Sequence, residues 1–251
     1  MTTTRPEAPE QNEPLKTILQ KQVAGFAPGV YPVNELFETI QGEGVFTGQP
    51  AIFLRLQGCP VGCPWCDTQH TWTLQPSDQT SAGEILVKTS ADTRYAVQSS
   101  NDIVNTFKQR GFTAKHVVIT GGEPCMYDLR PLAEVLEEAG YRLQIETSGT
   151  FEIRTSDNTW VTVSPKLEMP GGLDVLASAM RRANEVKHPI AMEKHIEALD
   201  ELLIRCPVKP ETIIALQPIS QRPRATELAI KTCIARNWRL SVQMHKYLAI
   251  E

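Results

Sequence analysis

Short apolar segments alternate with amphipathic segments along most of the 251-residue chain. Strand-like runs include AIFLRLQG (51–58), HVVIT (116–120) and TIIALQPI (212–219), and a helix-like stretch is EKHIEALDELLIR (193–205). Strands that alternate with helices in this way form a parallel sheet that is buried on both faces. The pattern therefore predicts an α/β fold built on a parallel sheet.

The remaining elements follow from the same two periodicities. Further strands are predicted at 142–149, 160–166 and 239–248, and further helices at 81–91, 100–112, 128–140, 172–186 and 223–237. A short amphipathic helix fits Leu15–Val23. The rest of residues 1–28 is expected to form a flexible N-terminal arm, ahead of a core domain at 29–251.

Polar, glycine-rich or chemically unusual segments stand at the carboxyl ends of the predicted strands. A cysteine-rich loop follows 51–58, GGEP follows 116–120, and TSGT, SPK and QPIS stand at the ends of three later strands. The carboxyl ends of parallel strands meet at one edge of the sheet, and ligands of α/β proteins bind there. We therefore expect the functional site at this edge.

Charge and composition favour small molecules over nucleic acid as partners. The formal net charge is −4, and no basic stripe of the kind that binds nucleic acid is visible. No window approaches the run of about 18 apolar residues that a membrane span needs, and the N-terminal segment lacks the pattern of a secretory signal. In the expected cytoplasmic setting thiols stay reduced, so clustered cysteines indicate metal binding or catalysis.

Three cysteines in GCPVGCPWCDTQH (58–70) have the spacing C-x3-C-x2-C and are Cys59, Cys63 and Cys66. Cysteine thiolates hold iron–sulfur clusters. A four-iron cluster normally takes four thiolates, so three would leave one iron open to a substrate or cofactor. The alternatives are a Cys3His zinc site completed by His70, or three thiols that bind no metal.

The cysteine spacing, with the aromatic Trp65 directly before Cys66, resembles the signature of the radical S-adenosylmethionine enzymes. A second matching segment is GGEP (121–124), which follows the next strand of the core. In that superfamily a GGE-type segment lies along the amino group of S-adenosylmethionine. Glycines permit such an approach of the backbone because they carry no Cβ.

Longer segments resemble the 7-carboxy-7-deazaguanine synthase family of that superfamily, which acts in queuosine biosynthesis. The resemblance runs from about Tyr31 to Leu248 and is carried by NELFETIQGEG (34–44), AIFLRLQGCPVGCPWCDTQHTW (51–72), HVVITGGEPC (116–125), QIETSGT (144–150), WVTVSPK (160–166), ALQPIS (215–220) and CIARNWRLSVQMHKYL (233–248). It implies a partial (β/α) barrel with about six parallel strands and a reduced set of helices.

The resemblance also implies the activity of a carbon–nitrogen lyase. A [4Fe-4S] cluster would bind S-adenosylmethionine at its open iron and cleave it to a 5′-deoxyadenosyl radical. The radical would take hydrogen from C6 of 6-carboxy-5,6,7,8-tetrahydropterin, and ring contraction with loss of ammonia would give 7-carboxy-7-deazaguanine. Mg²⁺, a reductant such as flavodoxin and a cytoplasmic homodimer are implied as well, without a direct nucleic-acid or membrane partner.

The same resemblance assigns individual residues to ligands. The cluster ligands are Cys59, Cys63 and Cys66, the magnesium ligand is Thr68, the substrate contacts are Ile40, Gln41, Gly42, Arg55 and Thr120, and the cofactor contacts are Trp65, Gly122, Ser148, Ser164, Pro165, Lys166 and Gln217. Arg55 interrupts an apolar strand, so its guanidinium needs an anion, either the substrate carboxylate or a structural ion-pair partner. No catalytic side chain is implied beyond the cofactor-derived radical.

Two other functions fit parts of the pattern. A radical activase that abstracts hydrogen from a glycine of a partner protein shares the cysteine and GGE motifs, although IQGEG and SPK fit it poorly. A zinc-stabilised binding module fits the three cysteines together with His70. Cys125, next to GGEP, is expected to pack rather than to bind iron, since a fourth thiolate would block the open iron. No role follows for His70, His245 or Lys246.

Overall fold

The computed structural model describes residues 14–88, 91–219 and 222–249. Within these residues the chain forms one nine-stranded sheet with helices packed against it. The strands are β1 (Val30–Ile40), β2 (Pro50–Leu56), β3 (Ala96–Ser99), β4 (His116–Gly121), β5 (Arg142–Thr147), β6 (Trp160–Val163), β7 (Glu185–Ile190), β8 (Ile213–Pro218) and β9 (Arg239–Leu240). The helices are α1 (Leu15–Ala24), α2 (Ala82–Ile85), α3 (Ser100–Gln109), α4 (Arg130–Glu138), α5 (Ala177–Arg182), α6 (Glu193–Arg205), α7 (Pro223–Arg236) and α8 (Met244–Leu248).

The sheet has the strand order β3-β1-β2-β4-β5-β6-β7-β8-β9. Every pair from β2 to β9 is parallel, whereas β1 is antiparallel to both of its neighbours, β2 and β3. In the described part of the chain β3 and β9 are the two edges, so the sheet does not close on itself. The expected α/β fold with an open, partial barrel is confirmed.

Two apolar clusters stabilise the two halves of the sheet. The cluster at the N-terminal half includes the fully buried Phe107 of α3 and Leu132 of α4. The cluster at the C-terminal half includes Leu199 of α6 and Leu216 of β8. Burial of each large apolar side chain in these clusters contributes about 1.5–3 kcal/mol to the free energy of unfolding. No helix within the described ranges is both long and apolar enough to cross a membrane.

Helix α1 lies where the sequence predicts a short amphipathic helix. Its residue Leu19 is buried in the N-terminal apolar cluster, so α1 packs on the core. Residues 1–13 of the expected arm lie outside the described residues. For those thirteen positions the flexible arm stays a prediction, and the division into an arm and a core domain stays one as well.

The inner face of the central strands is polar. Gln144 and Glu146 of β5, Thr162 of β6, and Glu185 and Lys187 of β7 lie on strands that pair side by side. Side chains two positions apart on a strand point to the same face, and the cross-strand register places Glu146 next to Thr162 and Thr162 next to Glu185. These polar side chains of β5 to β7 lie on one face, whereas the two apolar clusters lie between the sheet and the helices.

Two predicted elements in the C-terminal half are wrong in their extent. The helix expected at 172–186 is limited to α5, and its last residues belong to strand β7, because they pair with β6 and β8. The strand expected at 239–248 ends after two residues and is followed by α8. Pairing with distant strands decides the structure of such segments, and local periodicity does not report that pairing.

The N-terminal edge of the sheet also differs from the prediction. The sequence pattern does not indicate β1, where Tyr31, Pro32, Val33 and Asn34 are buried in succession instead of alternating between two faces. It does not indicate the short edge strand β3 either. Of the helix predicted at 81–91, the described residues form only α2, a single turn with a capping box, while residues 89–90 lie outside the described ranges. The antiparallel edge is thus the part of the fold that local patterns describe least.

Candidate active site at the carboxyl ends of the strands

One cavity of about 390 Å³ lies at the carboxyl ends of the central strands. Its wall includes Ile40, Gln41, Gly42, Arg55, Cys59, Cys63, Trp65, Cys66, Thr68, Thr120, Gly122, Ser148, Ser164, Lys166 and Gln217. These are the residues that the sequence assigns to ligands, with one exception: Pro165 is buried and is not part of the wall. Parallel strands bring their carboxyl ends together, so residues far apart in the chain meet here.

The cysteine loop leaves β2 and returns beside its own start. The backbone N–H groups of Gly58 and Cys59 donate to the carbonyl oxygens of Thr71 and Trp72, at 2.7 and 3.0 Å. Between these two hydrogen bonds the loop carries all three thiols to the cavity wall. The cysteine loop therefore brings three sulfur donors to the same cavity.

The protonation of these thiols depends on what they bind. Burial raises the pKa of Cys59 to about 12. Burial also raises the pKa of Cys63, while the nearby Lys166 acts in the opposite direction. Iron binds the thiolate, so loading a cluster would release protons from these groups. The thiol of Cys125 is buried in the apolar core and is not part of the wall, as predicted for a packing residue.

His70 does not complete a zinc site with the three thiols. Its imidazole faces Glu35, with 3.8 Å between Nε2 and the carboxylate, and it is not part of the cavity wall. Within the described ranges no three His, Cys, Asp or Glu side chains converge on one ion position. A cluster requires no such convergence, because each thiolate binds a different iron. The donor set therefore fits a cluster better than a single zinc ion.

Gly121 and Gly122 lie so close to the cysteine loop that neither position has room for a side chain. A Cβ at Gly121 would lie 2.2 Å from the carbonyl oxygen of Leu56, and one at Gly122 would lie 2.2 Å from that of Gly58. The N–H groups of Gly122 and Glu123 donate to these two carbonyls, at 2.9 and 2.8 Å. The GGE segment thus extends the β2–β4 pairing and fixes the start of the cysteine loop.

The carboxylate of Glu123 is used inside the protein. It is 1% exposed and accepts hydrogen bonds from the Cys125 N–H at 2.9 Å, the Thr147 hydroxyl at 2.6 Å and the Ser148 N–H at 2.8 Å. The Ser148 hydroxyl donates to it as well. These bonds join the GGE segment to the end of β5, and they commit the hydroxyl proton of Ser148, a predicted cofactor contact, to Glu123, so that only its oxygen is left to accept from a ligand.

Two predicted substrate contacts are also engaged within the protein. The Gln41 side chain is buried: its Nε2 lies 3.3 Å from Gln144 Oε1, and its Oε1 accepts from the Glu43 N–H at 3.1 Å. Arg55 donates from Nε to Glu35 at 2.5 Å. The structural ion pair is therefore present for Arg55, although its side chain also lines the cavity.

The sequence patterns do not identify the main charged group of the cavity. Lys187 donates to Glu43 at 2.6 Å and to Glu146 at 2.9 Å, and all three side chains are on the wall. Burial acts to raise the pKa of Glu43, but Lys187 outweighs it and brings the pKa to about 2. Burial raises the pKa of Glu146 to about 7, with Lys187 opposing it and Glu43 adding to it. Lys187 thus lowers the pKa of one carboxyl of this charged trio, while burial keeps the pKa of the other above its ordinary value.

One sequence signal could have found this trio. In QIE (144–146) and EVK (185–187) polar residues flank a single apolar residue, which is the pattern of a strand with one polar face. The helix predicted at 172–186 includes Glu185 and Val186 and so hides this alternation. Nothing local indicates that Glu43, which follows β1, meets the other two side chains.

Glu146 is expected to make the stability of the chain depend on pH near neutrality. Its pKa is about 7 in the folded chain against an ordinary value of 4.5, so the folded state binds the proton more tightly. This stabilisation is complete below pH 4.5 and is lost as the pH rises through 7, a fall of about 1 kcal/mol in the free energy of unfolding from pH 6 to pH 8. Buried histidines such as His116 and His188, whose pKa values are lowered by burial, act in the opposite direction over this range, so the contribution of Glu146 is read from the difference between the unsubstituted chain and Glu146→Gln. Urea unfolding of both metal-free chains should show that difference in the free energy of unfolding falling by about 1 kcal/mol from pH 6 to pH 8. The same pH dependence in that variant would contradict the assignment.

Residues near the C-terminus complete the wall. Gln243 donates to Glu43 at 2.9 Å, and Lys246 donates to Gln243 at 2.8 Å. A Cβ at Gly42 would lie 2.4 Å from Nδ1 of His245, so α8 packs directly on this glycine. His245 and Lys246, to which the sequence assigns no role, both line the cavity.

Comparisons with known proteins agree with this geometry. The sequence profile of the 4Fe-4S single cluster domain family matches residues 40–179. The 7-carboxy-7-deazaguanine synthase of Escherichia coli (strain K12) is 59% identical over 220 residues, which cover 88% of this chain and 99% of that protein. The synthase of Buchnera aphidicola subsp. Schizaphis graminum is 47% identical with the same coverage of both chains. A crystal structure of QueE from Escherichia coli, 56% identical, matches with a TM-score of 0.85 over 90% of this chain and 98% of that chain. The chain therefore belongs to the 7-carboxy-7-deazaguanine synthase family.

Proposed function

We propose that this chain is a radical S-adenosylmethionine lyase that converts 6-carboxy-5,6,7,8-tetrahydropterin to 7-carboxy-7-deazaguanine with loss of ammonia. The proposal is carried by one observation: three thiols and the GGE segment meet at a single cavity in a chain of this family. The product belongs to the biosynthesis of queuosine and related 7-deazapurines.

The residues of the cysteine loop fit a [4Fe-4S] cluster held at three of its irons. Cys59, Cys63 and Cys66 would bind one iron each, and neither Cys125 nor His70 is among the wall residues that could block the fourth. A reduced cluster with S-adenosylmethionine supplies the one-electron chemistry that removes hydrogen from C6 of the substrate. The chain itself binds and orients the reactants and keeps water away from them.

One part of the wall suits the cofactor. Lys166 lies near Cys63 and donates to the Ser164 carbonyl at 2.9 Å and hydroxyl at 2.6 Å, so its ammonium is held where a carboxylate beside the cluster would need it. Gly122 leaves backbone accessible to an ammonium group. We assign to the cofactor Trp65, Gly122, Ser148, Ser164, Lys166 and Gln217, with Pro165 as the backbone link between two of them.

Another part of the wall suits the substrate. The carboxyl oxygens of Glu43 and Glu146 can accept hydrogen bonds from the amino and ring N–H groups of a pterin. Lys187 pairs with both carboxyl groups and stabilises them when substrate displaces water from the cavity. The guanidinium of Arg55 engages Glu35 through Nε, and its other nitrogens suit the substrate carboxylate. We assign to the substrate Ile40, Gln41, Gly42, Arg55 and Thr120, and we add Glu43, Glu146 and Lys187.

We place the magnesium ion beside Thr68. Its hydroxyl lies 3.5 Å from Sγ of Cys66, and both Thr68 and the neighbouring Asp67 line the cavity. Mg²⁺ in enzymes is commonly held by one or two protein oxygens and completes its shell with substrate oxygens and water. A single hydroxyl together with the substrate carboxylate therefore suffices for a magnesium ion at this position.

Thr68→Ala is expected to lower turnover by roughly 10- to 100-fold and to weaken its dependence on magnesium, because the ion loses its protein oxygen. The cluster content should not change, since the three thiols remain. Thr68→Ser keeps a hydroxyl at the same distance from the backbone and serves as the matched control. Turnover measured against magnesium concentration decides: an alanine variant with an unaltered magnesium response would remove Thr68 from the site.

Metal analysis separates the proposal from its rivals. After anaerobic reconstitution we expect about four irons and four sulfides per chain and the brown colour of a cluster. One zinc per chain without visible absorption would instead support a zinc-stabilised binding module. Transfer of a radical to a glycine of a second protein, with no change in the pterin, would support an activase.

Three further parts of the proposal rest on membership of the family alone. The electron comes from a reductant such as flavodoxin, the chain works as a homodimer, and the reaction takes place in the cytoplasm. Light scattering on the purified protein measures the dimer directly, and turnover with reduced flavodoxin as the sole electron source tests the reductant.

A further inference from the structure

Two fully buried amides, Asn34 and Gln57, lie beneath the cysteine loop. Both side chains are 0% exposed, and neither lines the cavity. A buried amide costs free energy unless its polar atoms are hydrogen-bonded, and an apolar side chain of similar volume avoids that cost. Their presence at the base of this loop therefore indicates a role other than packing.

Gln57 closes the base of the cysteine loop with its side chain. Nε2 donates to the carbonyl oxygens of His70 at 2.9 Å and of Thr73 at 2.8 Å. The two carbonyls in between accept from the N–H groups of the two residues that follow Gln57. Four successive carbonyls on the returning side of the loop are thus bound by Gln57 and its two successors.

Asn34 sets the orientation of the Gln57 side chain. Its Nδ2 donates to Gln57 Oε1 at 2.7 Å, and to the carbonyls of Asp92 and Arg94 at 3.0 Å each. With Oε1 accepting from Asn34, the Nε2 of Gln57 faces the loop. The register between β1 and β2 shifts at Asn34, and a bulge of this kind redirects the side chain of its extra residue.

The backbone of Gln57 is held on two more sides. Its N–H donates to the Pro32 carbonyl at 2.9 Å, and its carbonyl accepts from the Tyr127 hydroxyl at 2.5 Å. Tyr127 follows the GGEP segment closely, so its hydroxyl joins the two motifs. All polar groups of Gln57 are therefore satisfied by the protein alone, without any metal.

We propose that Asn34 and Gln57 are positioning residues that hold the cysteine loop in its cluster-binding conformation before iron arrives. This inference rests on the proposed role of the three thiols as cluster ligands. A loop that is already ordered loses little conformational entropy when it binds the cluster, so the cluster is held more tightly. The two amides act through the loop and touch neither substrate nor cofactor.

Gln57→Met tests the proposal, because methionine has a similar volume but lacks the two donors. In the metal-free chain, hydrogen exchange at the N–H groups of Gly58 and Cys59 should become at least about tenfold faster. After anaerobic reconstitution, a chelator should remove iron at least about tenfold faster than from the unsubstituted protein. Tyr127→Phe removes a single hydroxyl, is expected to fold, and should shift both rates in the same direction by a smaller factor.

Asn184→Ala is the matched control. Its Oδ1 accepts from the Val161 N–H at 2.9 Å, so the variant also loses a hydrogen bond to the backbone, but away from the cysteine loop. It should lower the melting temperature without faster iron release. Unchanged rates in both Gln57→Met and Tyr127→Phe, or equal acceleration in Asn184→Ala, would overturn the proposal. An unsubstituted chain that binds no iron would overturn the proposed function instead, while the exchange rates of the metal-free chain still decide whether Gln57 orders the loop.

Discussion

Replacing Cys59, Cys63 or Cys66 by serine is expected to abolish measurable turnover, a loss on the order of 10³-fold or more. In the proposed site the three thiols that line the cavity are all of the cluster ligands that the protein provides, and a serine hydroxyl is a poor ligand for iron compared with a thiolate. Each variant should therefore lose most of its iron and sulfide. Metal analysis after anaerobic reconstitution and product formation under reducing conditions measure the two effects on the same sample.

Cys233→Ser is the matched control for the cysteine variants. This thiol lies on α7, donates to the Arg239 carbonyl at 3.1 Å and is not part of the cavity wall. The control should keep its iron, its sulfide and its turnover. A cysteine-loop variant that retains four irons per chain and the turnover of the unsubstituted protein would contradict the assignment of the ligands.

Replacing Lys187 by methionine is expected to lower the free energy of unfolding by about 3–5 kcal/mol. The lysine ammonium donates to both Glu43 and Glu146, and its removal leaves two buried carboxyl groups with no cation between them. The loss should be smaller near pH 5 than at pH 8, because Glu146, whose pKa is about 7, takes up a proton on the acidic side. Urea unfolding of the metal-free chain at the two pH values measures both effects.

Two further variants show whether the missing charge is the cause. The triple variant Lys187→Met, Glu43→Gln, Glu146→Gln has no charge left in the trio and should recover much of the lost stability, as neutral replacements of buried ion pairs often do. Lys231→Met removes an exposed lysine of α7 and should stay within about 0.5 kcal/mol of the unsubstituted chain. A Lys187→Met chain as stable as that control would contradict the role of the trio.

The sequence predicts those parts of the site that depend on residues close together in the chain. The spacing of Cys59, Cys63 and Cys66 and the glycine pair at 121–122 are local patterns with local chemical reasons. Helix α6 has the predicted bounds, Glu193–Arg205, because its apolar residues recur with helical period inside one segment. Because ligands of α/β proteins bind at the carboxyl ends of parallel strands, these segments are expected to lie together even when the strand order is unknown.

The parts that the sequence misses depend on contacts between distant segments. Glu43, Glu146 and Lys187 follow or belong to three different strands, and only the order of the strands in the sheet brings them within hydrogen-bonding distance. In the sequence, Gln57 is simply a polar residue at the end of a strand. Its hydrogen-bond partners come from three other segments, and only the structure identifies them. The first two residues of β7 fall within the helix predicted at 172–186 for the same reason, since the pairing of β7 with β6 and β8 is not visible locally.

We expect this chain to contract the ring of a tetrahydropterin acid by radical chemistry. The most direct test is to incubate the reduced, reconstituted protein with 6-carboxy-5,6,7,8-tetrahydropterin, S-adenosylmethionine and Mg²⁺ without oxygen, and to identify the products by mass spectrometry. We predict 7-carboxy-7-deazaguanine and an equal amount of ammonia, and neither when S-adenosylmethionine is left out. Recovery of the unchanged pterin from protein that carries its full complement of iron and sulfide would contradict the claim.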